Sequence, residues 1–140
     1  LYNLVLIGPS YSGKSTIGKK LSQVFNKKLV DIDDNLYQVN HDLKSILKHH
    51  PESYYRDLET KEVLKYASSF NQVIATGGGV VLSKDAMAAL QRNSLIIFLN
   101  PPLEVLLSRI DNSRPLIKSK DDLINLYKKR LPLYQKYQGC

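Results

Sequence analysis

The sequence predicts a three-layer α/β/α sandwich in which a mainly parallel sheet lies between two layers of helices. Short apolar runs alternate with helical patterns along the chain, and glycines or carboxylates follow several of these runs. This alternation is typical of parallel sheets, because each connecting helix covers one face of the sheet. With 140 residues, 43% hydrophobic and 24% charged, the chain has the size and balance expected of one globular domain, 1–140.

The first half of the chain contains two predicted strands and three predicted helices. The run "NLVLI" (3–7) stops at a glycine and predicts a buried strand, and a helix is expected from Lys14. "KLVDID" (28–33) predicts a second strand that ends in carboxylates. Apolar residues at helical spacing then predict helices over 34–50 and about 53–70.

The second half continues the same alternation. "QVIATGGGVV" (72–81) predicts a third strand that breaks into a glycine run, and Ser83 is expected to cap the short helix that follows. "SLIIFL" (94–99) predicts a fourth strand. Ser119–Asp122 has the spacing of a capping box, so a last helix is expected from there to about Pro132.

The stretch "LIGPSYSGKSTIG" (6–18) carries the most specific pattern in the chain. Gly8, Gly13, Lys14 and Ser15 have the spacing G-x-x-x-x-G-K-[ST]. The glycines let backbone N–H groups approach a phosphate closely, and the helix that follows directs its N-terminus at the anion. The lysine can reach β- and γ-phosphates, and the serine hydroxyl can bind Mg²⁺. The pattern predicts a nucleoside triphosphate site and leaves the phosphate acceptor open.

Two carboxylates follow the second predicted strand. Asp31 and Asp33 are separated by one residue, so on a strand both would point to the same face. One carboxylate near Mg²⁺ and one near an acceptor hydroxyl would suit phosphoryl transfer to an alcohol. A polar strand end that leads to a helix cap at Asp34 is the structural alternative. Ligands of parallel sheets bind beyond the carboxyl ends of the strands, where these carboxylates and Gly77–Gly79 are expected to meet the phosphate loop.

An arginine and a glycine run are candidates for the acceptor site. Arg56 and Glu59 lie three residues apart on a predicted helix, so Glu59 could hold the guanidinium for a bidentate grip on a substrate carboxylate. A surface salt bridge is the alternative. Gly77, Gly78 and Gly79 would let the backbone pass close to a ligand and donate N–H groups, although a flexible loop would show the same pattern.

Three further arginines follow towards the C-terminus. Arg114 lies in a polar stretch, 111–122, that is long enough for a lid, and a lid arginine could stabilise charge on the phosphates in the transition state. Arg130 shares a helical stripe with apolar residues and is expected to face the protein. Arg109 completes the set, and any of the three taken alone could be an ordinary surface arginine.

Composition narrows the partners and the compartment. The net charge is +7, but the lysines are scattered and no aromatic-plus-basic surface for bases is visible, so no nucleic-acid partner is expected. The single cysteine, Cys140, allows no disulfide within the chain, which fits a reducing compartment. No apolar run approaches the roughly 20 residues of a membrane span. We therefore expect a cytoplasmic monomer that does not bind membranes.

The motifs taken in order resemble the shikimate kinase family, small P-loop enzymes of the nucleoside-monophosphate-kinase type. The phosphate loop, "DID", "ExxYR..E" (52–59), "TGGG", "SRPL" and "KRLPLY" occur in that order, and the resemblance covers residues 3 to about 137. It implies an enzyme that uses MgATP to phosphorylate the 3-hydroxyl of shikimate, a step towards aromatic amino acids. Another small P-loop kinase, for gluconate or a nucleoside monophosphate, or a silent nucleotide-binding module are the alternatives.

The resemblance also implies a role for each matching residue. Lys14, Asp33 and Arg114 would be catalytic, with Asp33 as the base. Ser15 would bind Mg²⁺, and Asp31 would support its shell through water. Arg56 and Arg130 would clamp the shikimate carboxylate, with Glu59 orienting Arg56, and the amides of Gly77, Gly78 and Gly79 would contact substrate. The remaining implied ATP contacts are Gly8, Tyr11, Ser12, Gly13 and Thr16 in the loop, Arg109 against adenine and Arg114 over ATP.

The sequence departs from the family pattern at three places. The family loop reads G-x-[Met/Pro]-G-x-G-K, whereas Ser10 and Tyr11 occupy its third and fourth positions. We expect the phenol to narrow the acceptor pocket or to force a change in the backbone. The segment from Arg109 to Arg114 is short, which predicts a clipped lid. The family continues beyond "YQKYQGC" with a fifth strand and a final helix, so we expect this sequence to be a fragment with an exposed sheet edge.

Overall fold

A four-stranded parallel sheet forms the centre of the fold. The structure, a computed structural model, describes residues 2–39, 48–111, 113–114 and 116–139. The strands are β1 (Asn3–Ile7), β2 (Lys28–Asp31), β3 (Gln72–Ala75) and β4 (Ser94–Phe98), in the spatial order β2-β3-β1-β4. All three strand pairs are parallel, with Leu4 of β1 opposite both Val73 and Leu95. All five residues of β1 are buried, as expected for a central strand that is covered on both faces.

Helices cover both faces of this sheet. They are α1 (Lys14–Val24), α2 (Ile32–Val39), α3 (Glu52–Ala67), α4 (Lys84–Gln91), α5 (Leu103–Ser108) and α6 (Lys120–Tyr137), with a short 3-10 helix at Val80–Leu82. One apolar cluster joins the sheet to α2, α3, α4 and α6, and a second packs Leu21 of α1 against Leu4, Leu6 and Val73. The three-layer prediction is confirmed.

The predicted helix caps are confirmed at two positions. The Ser83 hydroxyl accepts a hydrogen bond from the backbone N–H of Ala86 at 3.2 Å, and the Ser119 hydroxyl accepts one from Asp122 at 3.2 Å. At the end of the described chain, the backbone of Gly139 forms an isolated antiparallel bridge to Ile96 of the edge strand β4. No helix among the described residues is both long and apolar enough to cross a membrane.

The prediction that Asp31 and Asp33 share one face of a strand is wrong. β2 ends at Asp31, and Asp33 lies in the first turn of α2. α2 begins directly after Asp31 because the Asp31 carboxylate accepts a hydrogen bond from the backbone N–H of Asp34 at 3.1 Å. Asp31, and not Asp34, is therefore the residue that caps this helix, and the two carboxylates point to different neighbours.

Several other element boundaries differ from the prediction. The last helix does not end near Pro132 but continues to Tyr137. The proline removes one hydrogen bond and crowds the carbonyl one turn earlier, but burial of Tyr134 and Tyr137 beyond it outweighs this cost. The end of β3 at Ala75, before the glycine run, agrees with the prediction. The helix predicted over 34–50 is observed from Ile32 to Val39, and residues 40–47 lie outside the described part of the chain.

Candidate active site

A cavity of about 400 Å³ opens at the carboxyl edge of the sheet. Its lining is formed by residues 10–17 together with Asp33, Thr76, Gly78, Arg109 and Arg114. The predicted phosphate loop, a carboxylate after β2, a glycine after β3 and two of the later arginines therefore meet at one place. This is the edge at which parallel α/β sheets bind ligands.

The two glycines of the loop are required by its backbone path. Gly13 has φ 93° and ends the loop as the residue before α1. Gly8 has φ 149°, and a Cβ at this position would lie 2.5 Å from the carbonyl oxygen of Leu99. Side chains rarely tolerate this combination of left-handed backbone and close contact. The loop therefore has the backbone conformation for which the sequence pattern selects glycine.

Lys14 is a buried cation at the base of the loop. Its side chain is held by the carbonyl oxygens of Gly8 and Pro9, the latter at 2.8 Å from Nζ. Burial lowers the pKa of Lys14 to about 7, although the nearby Asp33 carboxylate acts in the opposite direction. A phosphate in the cavity would supply negative charge to this ammonium, which is the arrangement expected of a phosphate-binding lysine.

Ser15 and Asp31 form an oxygen pair at the start of α1. The Ser15 hydroxyl donates to the Asp31 carboxylate at 2.6 Å. Among the described residues no group of three His, Cys, Asp or Glu side chains could hold a metal alone. Mg²⁺ commonly uses one or two protein oxygens together with substrate phosphates. A hydroxyl and a carboxylate at the phosphate loop fit that donor set.

Asp33 is the carboxylate of the cavity itself. Its Oδ2 is paired with the Arg114 guanidinium at 3.1 Å, and its Oδ1 accepts a hydrogen bond from the Tyr55 hydroxyl at 3.2 Å. Burial, together with the Asp33 charge, raises the pKa of Tyr55 well above its ordinary value, so the phenol remains a donor. Tyr55 is not among the predicted site residues, although its position next to Arg56 in the "ExxYR..E" motif could have indicated a role at the site.

Arg56 and Glu59 form a buried ion pair on α3. The two side chains are 2.9 Å apart, and Glu59 is only 1% exposed. Burial raises the pKa of Glu59 in spite of the neighbouring guanidinium. Burial also opposes the charge on Arg56, but the Glu59 carboxylate outweighs it and raises the pKa of the arginine. The pair is therefore not the surface salt bridge that was the alternative.

The glycine run is packed against these charged side chains. A Cβ at Gly77 would lie 2.6 Å from Glu59 Oε2 and 2.8 Å from Asp33 Oδ1, and one at Gly79 would overlap the Arg56 guanidinium. At Gly78 it would meet the Ser10 hydroxyl at 3.0 Å. These three positions require glycine because the carboxylates and the arginine approach the backbone closely. The same contacts argue against the alternative that the run is only a flexible loop.

Arg130 reaches the same glycines from α6. It is 5% exposed, and its Nη1 lies 3.6 Å from where a Cβ of Gly78 would be. The Tyr134 hydroxyl, one turn further along α6, donates to the Gly78 carbonyl oxygen. Burial raises the pKa of Tyr134 to about 12. The prediction that Arg130 faces the protein is confirmed; Tyr134 was missed, although its i+4 spacing from Arg130 placed it on the same helix face.

Arg109 and Tyr11 connect the phosphate loop to the segment after α5. The exposed Arg109 donates from Nη1 to the Tyr11 carbonyl oxygen at 2.9 Å. The Tyr11 backbone is left-handed, with φ 69°, and its hydroxyl contacts Asp111. Tyr11 therefore has a backbone conformation that ordinarily favours glycine. Thr16 lies in the first turn of α1 and lines the cavity.

Several buried polar atoms at the site lack a hydrogen-bond partner among the described residues. They are Nε of Arg56, Arg114 and Arg130, Oε2 of Glu59 and Oγ of Ser12. Buried polar groups are nearly always paired. Arg114 lines the cavity, and Arg56 and Arg130 lie against the neighbouring Gly79 and Gly78, so the unpaired guanidinium nitrogens fit an anionic ligand at this place.

The fold and the site together are those of a P-loop kinase, with Asp33, Arg109 and Arg114 on the cavity at its phosphate loop. A family model described as shikimate kinase matches residues 11–139. The chain belongs to the shikimate kinase family. It is therefore a phosphotransferase of the family that uses ATP to phosphorylate shikimate.

Individual relatives agree with this assignment. The chain is 42% identical over 136 residues to a shikimate kinase of Clostridium botulinum (strain Alaska E43 / Type E3), covering 94% of this chain and 81% of the relative. It is 35% identical over 136 residues to that of Persephonella marina, covering 94% and 83%. A solved structure of Acinetobacter baumannii shikimate kinase in complex with shikimate superposes with a TM-score of 0.92 at 28% identity, over 99% of this chain and 80% of that one.

Proposed function

We propose that this chain transfers the γ-phosphoryl group of ATP to the 3-hydroxyl of shikimate. The observation that carries the proposal is the convergence of the half-buried Arg56 and the buried Arg130 with Asp33 on one glycine run beside the phosphate loop. Binding of a nucleotide alone does not require this arrangement. Binding of an acceptor that has both a carboxylate and hydroxyl groups does require such arginines and a carboxylate.

The nucleotide would bind in the loop. Backbone N–H groups from Tyr11 to Thr16 would surround the phosphates, and the α1 N-terminus would face them. The buried Lys14 would exchange its carbonyl contacts for the β- and γ-phosphates. Arg109, held at the Tyr11 carbonyl, would lie against the adenine side of the nucleotide.

Ser15 would bind Mg²⁺ directly, and Asp31 would support its shell through water. Their hydroxyl–carboxylate pair at 2.6 Å supports this assignment. When bound, Mg²⁺ neutralises phosphate charge and orients the β- and γ-phosphates.

The acceptor would bind between Asp33 and the two arginines of the glycine run. Arg56 and Arg130 would clamp its carboxylate, where their unpaired Nε atoms find an acceptor. Glu59 would fix the orientation of Arg56 through the 2.9 Å ion pair. The amides of Gly77, Gly78 and Gly79 would contact the acceptor, Gly78 most directly, because Gly78 lines the cavity.

The transfer step would follow from this placement. The acceptor hydroxyl oxygen attacks the γ-phosphorus, its proton passes to the Asp33 carboxylate, and the bond between the γ-phosphorus and the β–γ bridging oxygen breaks to release ADP. Lys14 and Arg114 balance the negative charge on the transferring group. Arg114 already lies next to Asp33 at 3.1 Å, on the lining of the cavity.

A coupled assay of ADP release with MgATP tests the proposal. We expect release to depend on shikimate, and ³¹P NMR to show a phosphomonoester on the 3-hydroxyl. Gluconate and nucleoside monophosphates serve as competing acceptors in parallel reactions. ATP binding without shikimate-dependent release, or faster release with another acceptor, would overturn the assignment.

We further propose a cytoplasmic monomer that needs neither nucleic acid nor membrane. The scattered lysines support this proposal, since the net charge of +7 is not gathered with aromatic residues into a nucleic-acid surface. Light scattering at assay concentration would measure the mass. Binding to duplex DNA that falls steeply with salt would contradict the proposal.

A further inference from the structure

Tyr11 occupies a strained position in the phosphate loop. Its φ of 69° lies in the left-handed region, where a tyrosine backbone is disfavoured. In the family pattern G-x-[Met/Pro]-G-x-G-K this is the position of a glycine. A glycine would adopt the same backbone without strain, so the tyrosine side chain must contribute something that a glycine cannot.

The Tyr11 side chain is anchored outside the phosphate loop. Its hydroxyl lies 3.2 Å from the carbonyl oxygen of Asp111 and 3.3 Å from Asp111 Oδ1, and it can donate to either. The ring packs against the apolar cluster of Leu106, Ile117 and Leu123, which joins α5 to α6. The phenol therefore connects the loop to the segment that follows α5.

The same segment carries the two arginines of the nucleotide side. Arg109 donates to the Tyr11 carbonyl oxygen at 2.9 Å, and the Arg114 guanidinium lies over the Tyr11 ring, 5.9 Å from its centroid. A cation over an aromatic face is attracted by the ring. Asp111 is itself held in place by the backbone N–H of Ser113 at 2.8 Å. Tyr11 thus contacts three residues of the segment by three separate interactions.

We propose that the Tyr11 side chain is a positioning residue that holds Asp111 and Arg114 against the phosphate loop, next to the contact that Arg109 makes with the Tyr11 backbone carbonyl. Its ring sets the place of the Arg114 guanidinium, and its hydroxyl fixes Asp111, two residues beyond Arg109. The inference rests on the proposed function, in which Arg114 balances charge on the transferring phosphoryl group. The earlier expectation, that the phenol narrows the acceptor pocket, predicts a different kinetic result and is the competing outcome of the test.

A double-mutant cycle between Tyr11 and Arg114 tests the proposal. We expect Tyr11→Gly to lower kcat about tenfold and leave KM for shikimate unchanged, because one cation–π contact and one hydrogen bond are lost. In an Arg114→Ala background the same change should cost less than about twofold, since Tyr11 acts through Arg114. Tyr11→Phe keeps the ring and should recover part of kcat. Tyr37→Phe, at an exposed tyrosine, is the matched control.

A structural role would give a different result. Glycine relieves the left-handed strain, so a tyrosine that only shaped the loop would leave Tyr11→Gly as active as the wild type. Equal losses in both backgrounds, or a raised KM for shikimate with unchanged kcat, would also overturn the proposal. The second result would place the phenol at the acceptor.

A binding measurement separates this inference from the proposed acceptor. Calorimetric titration with a non-hydrolysable ATP analogue and Mg²⁺ needs no acceptor. We expect Tyr11→Gly to weaken binding several-fold in the wild-type background and not in Arg114→Ala. If shikimate proved not to be the acceptor, this coupling would still be observed. If the coupling were absent while shikimate turnover was normal, the Tyr11 inference alone would fail.

Discussion

The proposed nucleotide half and the proposed acceptor half of the site are built in opposite ways. The centre of the nucleotide half is one continuous stretch, residues 8–16, whose conformation is determined by two glycines and the start of α1. The acceptor half takes Asp33, Arg56, Gly78 and Arg130 from four separate parts of the chain. A local pattern can therefore identify the first half, whereas the second exists only after the chain has folded.

The halves also differ in how their charges are balanced. In the nucleotide half, Lys14 is buried with backbone carbonyls and depends on a ligand for its counter-charge. In the acceptor half, Arg56 has Glu59 at 2.9 Å, and Asp33 has Arg114 at 3.1 Å. Changes in the first half should therefore affect turnover, and changes in the second half should affect acceptor binding. The variants below test this difference.

Lys14→Ala should have the largest effect. We expect kcat to fall by about a thousandfold or more, because the β- and γ-phosphates lose the buried cation that balances their charge. Shikimate-dependent ADP release measures the loss. Lys19→Ala, on the exposed side of the same helix, is the control. Turnover that survived in the Lys14 variant would show that the loop is not the phosphate site.

Arg56→Lys should have the next largest effect, on the other half of the site. We expect KM for shikimate to rise about 30- to 100-fold with a smaller change in kcat, because lysine keeps the charge but loses the bidentate geometry. Lysine is preferable to alanine here, since alanine would leave Glu59 buried without a partner and destabilise the fold by about 3 kcal/mol or more.

Arg92→Lys is the matched control for Arg56→Lys, because Arg92 is an exposed arginine at the end of α4. Steady-state kinetics with shikimate varied at saturating ATP separate the two parameters. If both parameters stayed at wild-type values, Arg56 would not be part of the carboxylate clamp.

The fold was largely predictable because its determinants are local. Apolar runs predicted the four strands, and Ser83 and Ser119 predicted two helix starts that their hydrogen bonds confirm. Predictions failed where tertiary contacts decide the boundary. Pro132 does not end α6, because Tyr134 and Tyr137 beyond it are buried. Asp33 lies in α2 and not in β2, because Asp31 caps that helix.

The parts of the site that depend on neighbouring residues in the sequence were predictable, and the parts that depend on contacts across the fold were not. The phosphate loop followed from spacing alone, whereas the spacing of Arg56 and Arg130 left a surface role open and only the resemblance to a family assigned them to the acceptor. Tyr55 and Tyr134 were missed, since each is defined by a hydrogen bond across the fold, to Asp33 and to Gly78. A hydrogen bond between residues that are far apart in the sequence leaves no periodic pattern by which it could be predicted.

Gly79→Ala should have an intermediate effect. A methyl group there would overlap the Arg56 guanidinium, so the arginine must move away from its clamping position. We expect KM for shikimate to rise about tenfold, which corresponds to roughly 1.4 kcal/mol, with KM for ATP unchanged. Gly18→Ala is the control, because a Cβ there meets its neighbours at 3.4 Å, an ordinary contact distance. A wild-type KM for shikimate in Gly79→Ala would mean that the glycine run does not determine the position of Arg56 in the carboxylate clamp.

Tyr55→Phe should have the smallest effect and is the sharpest test of where the two halves meet. The variant removes only the hydroxyl that donates to Asp33 Oδ1 at 3.2 Å. Loss of one such hydrogen bond is worth about 1 kcal/mol, so we expect kcat to fall about three- to fivefold while KM for shikimate stays constant. Tyr54→Phe, at the exposed neighbouring tyrosine, controls for the loss of a phenol on α3.

The two kinetic parameters decide what the Tyr55 hydroxyl does. A change in kcat alone means that it orients the Asp33 carboxylate, whose other oxygen faces Arg114 on the nucleotide side. A change in KM for shikimate alone would mean that the hydroxyl binds the acceptor, and Asp33 would then be oriented by Arg114 only. The first outcome makes Asp33 the link between the halves, held by one residue from each, so that acceptor and phosphoryl group are aligned by the same carboxylate.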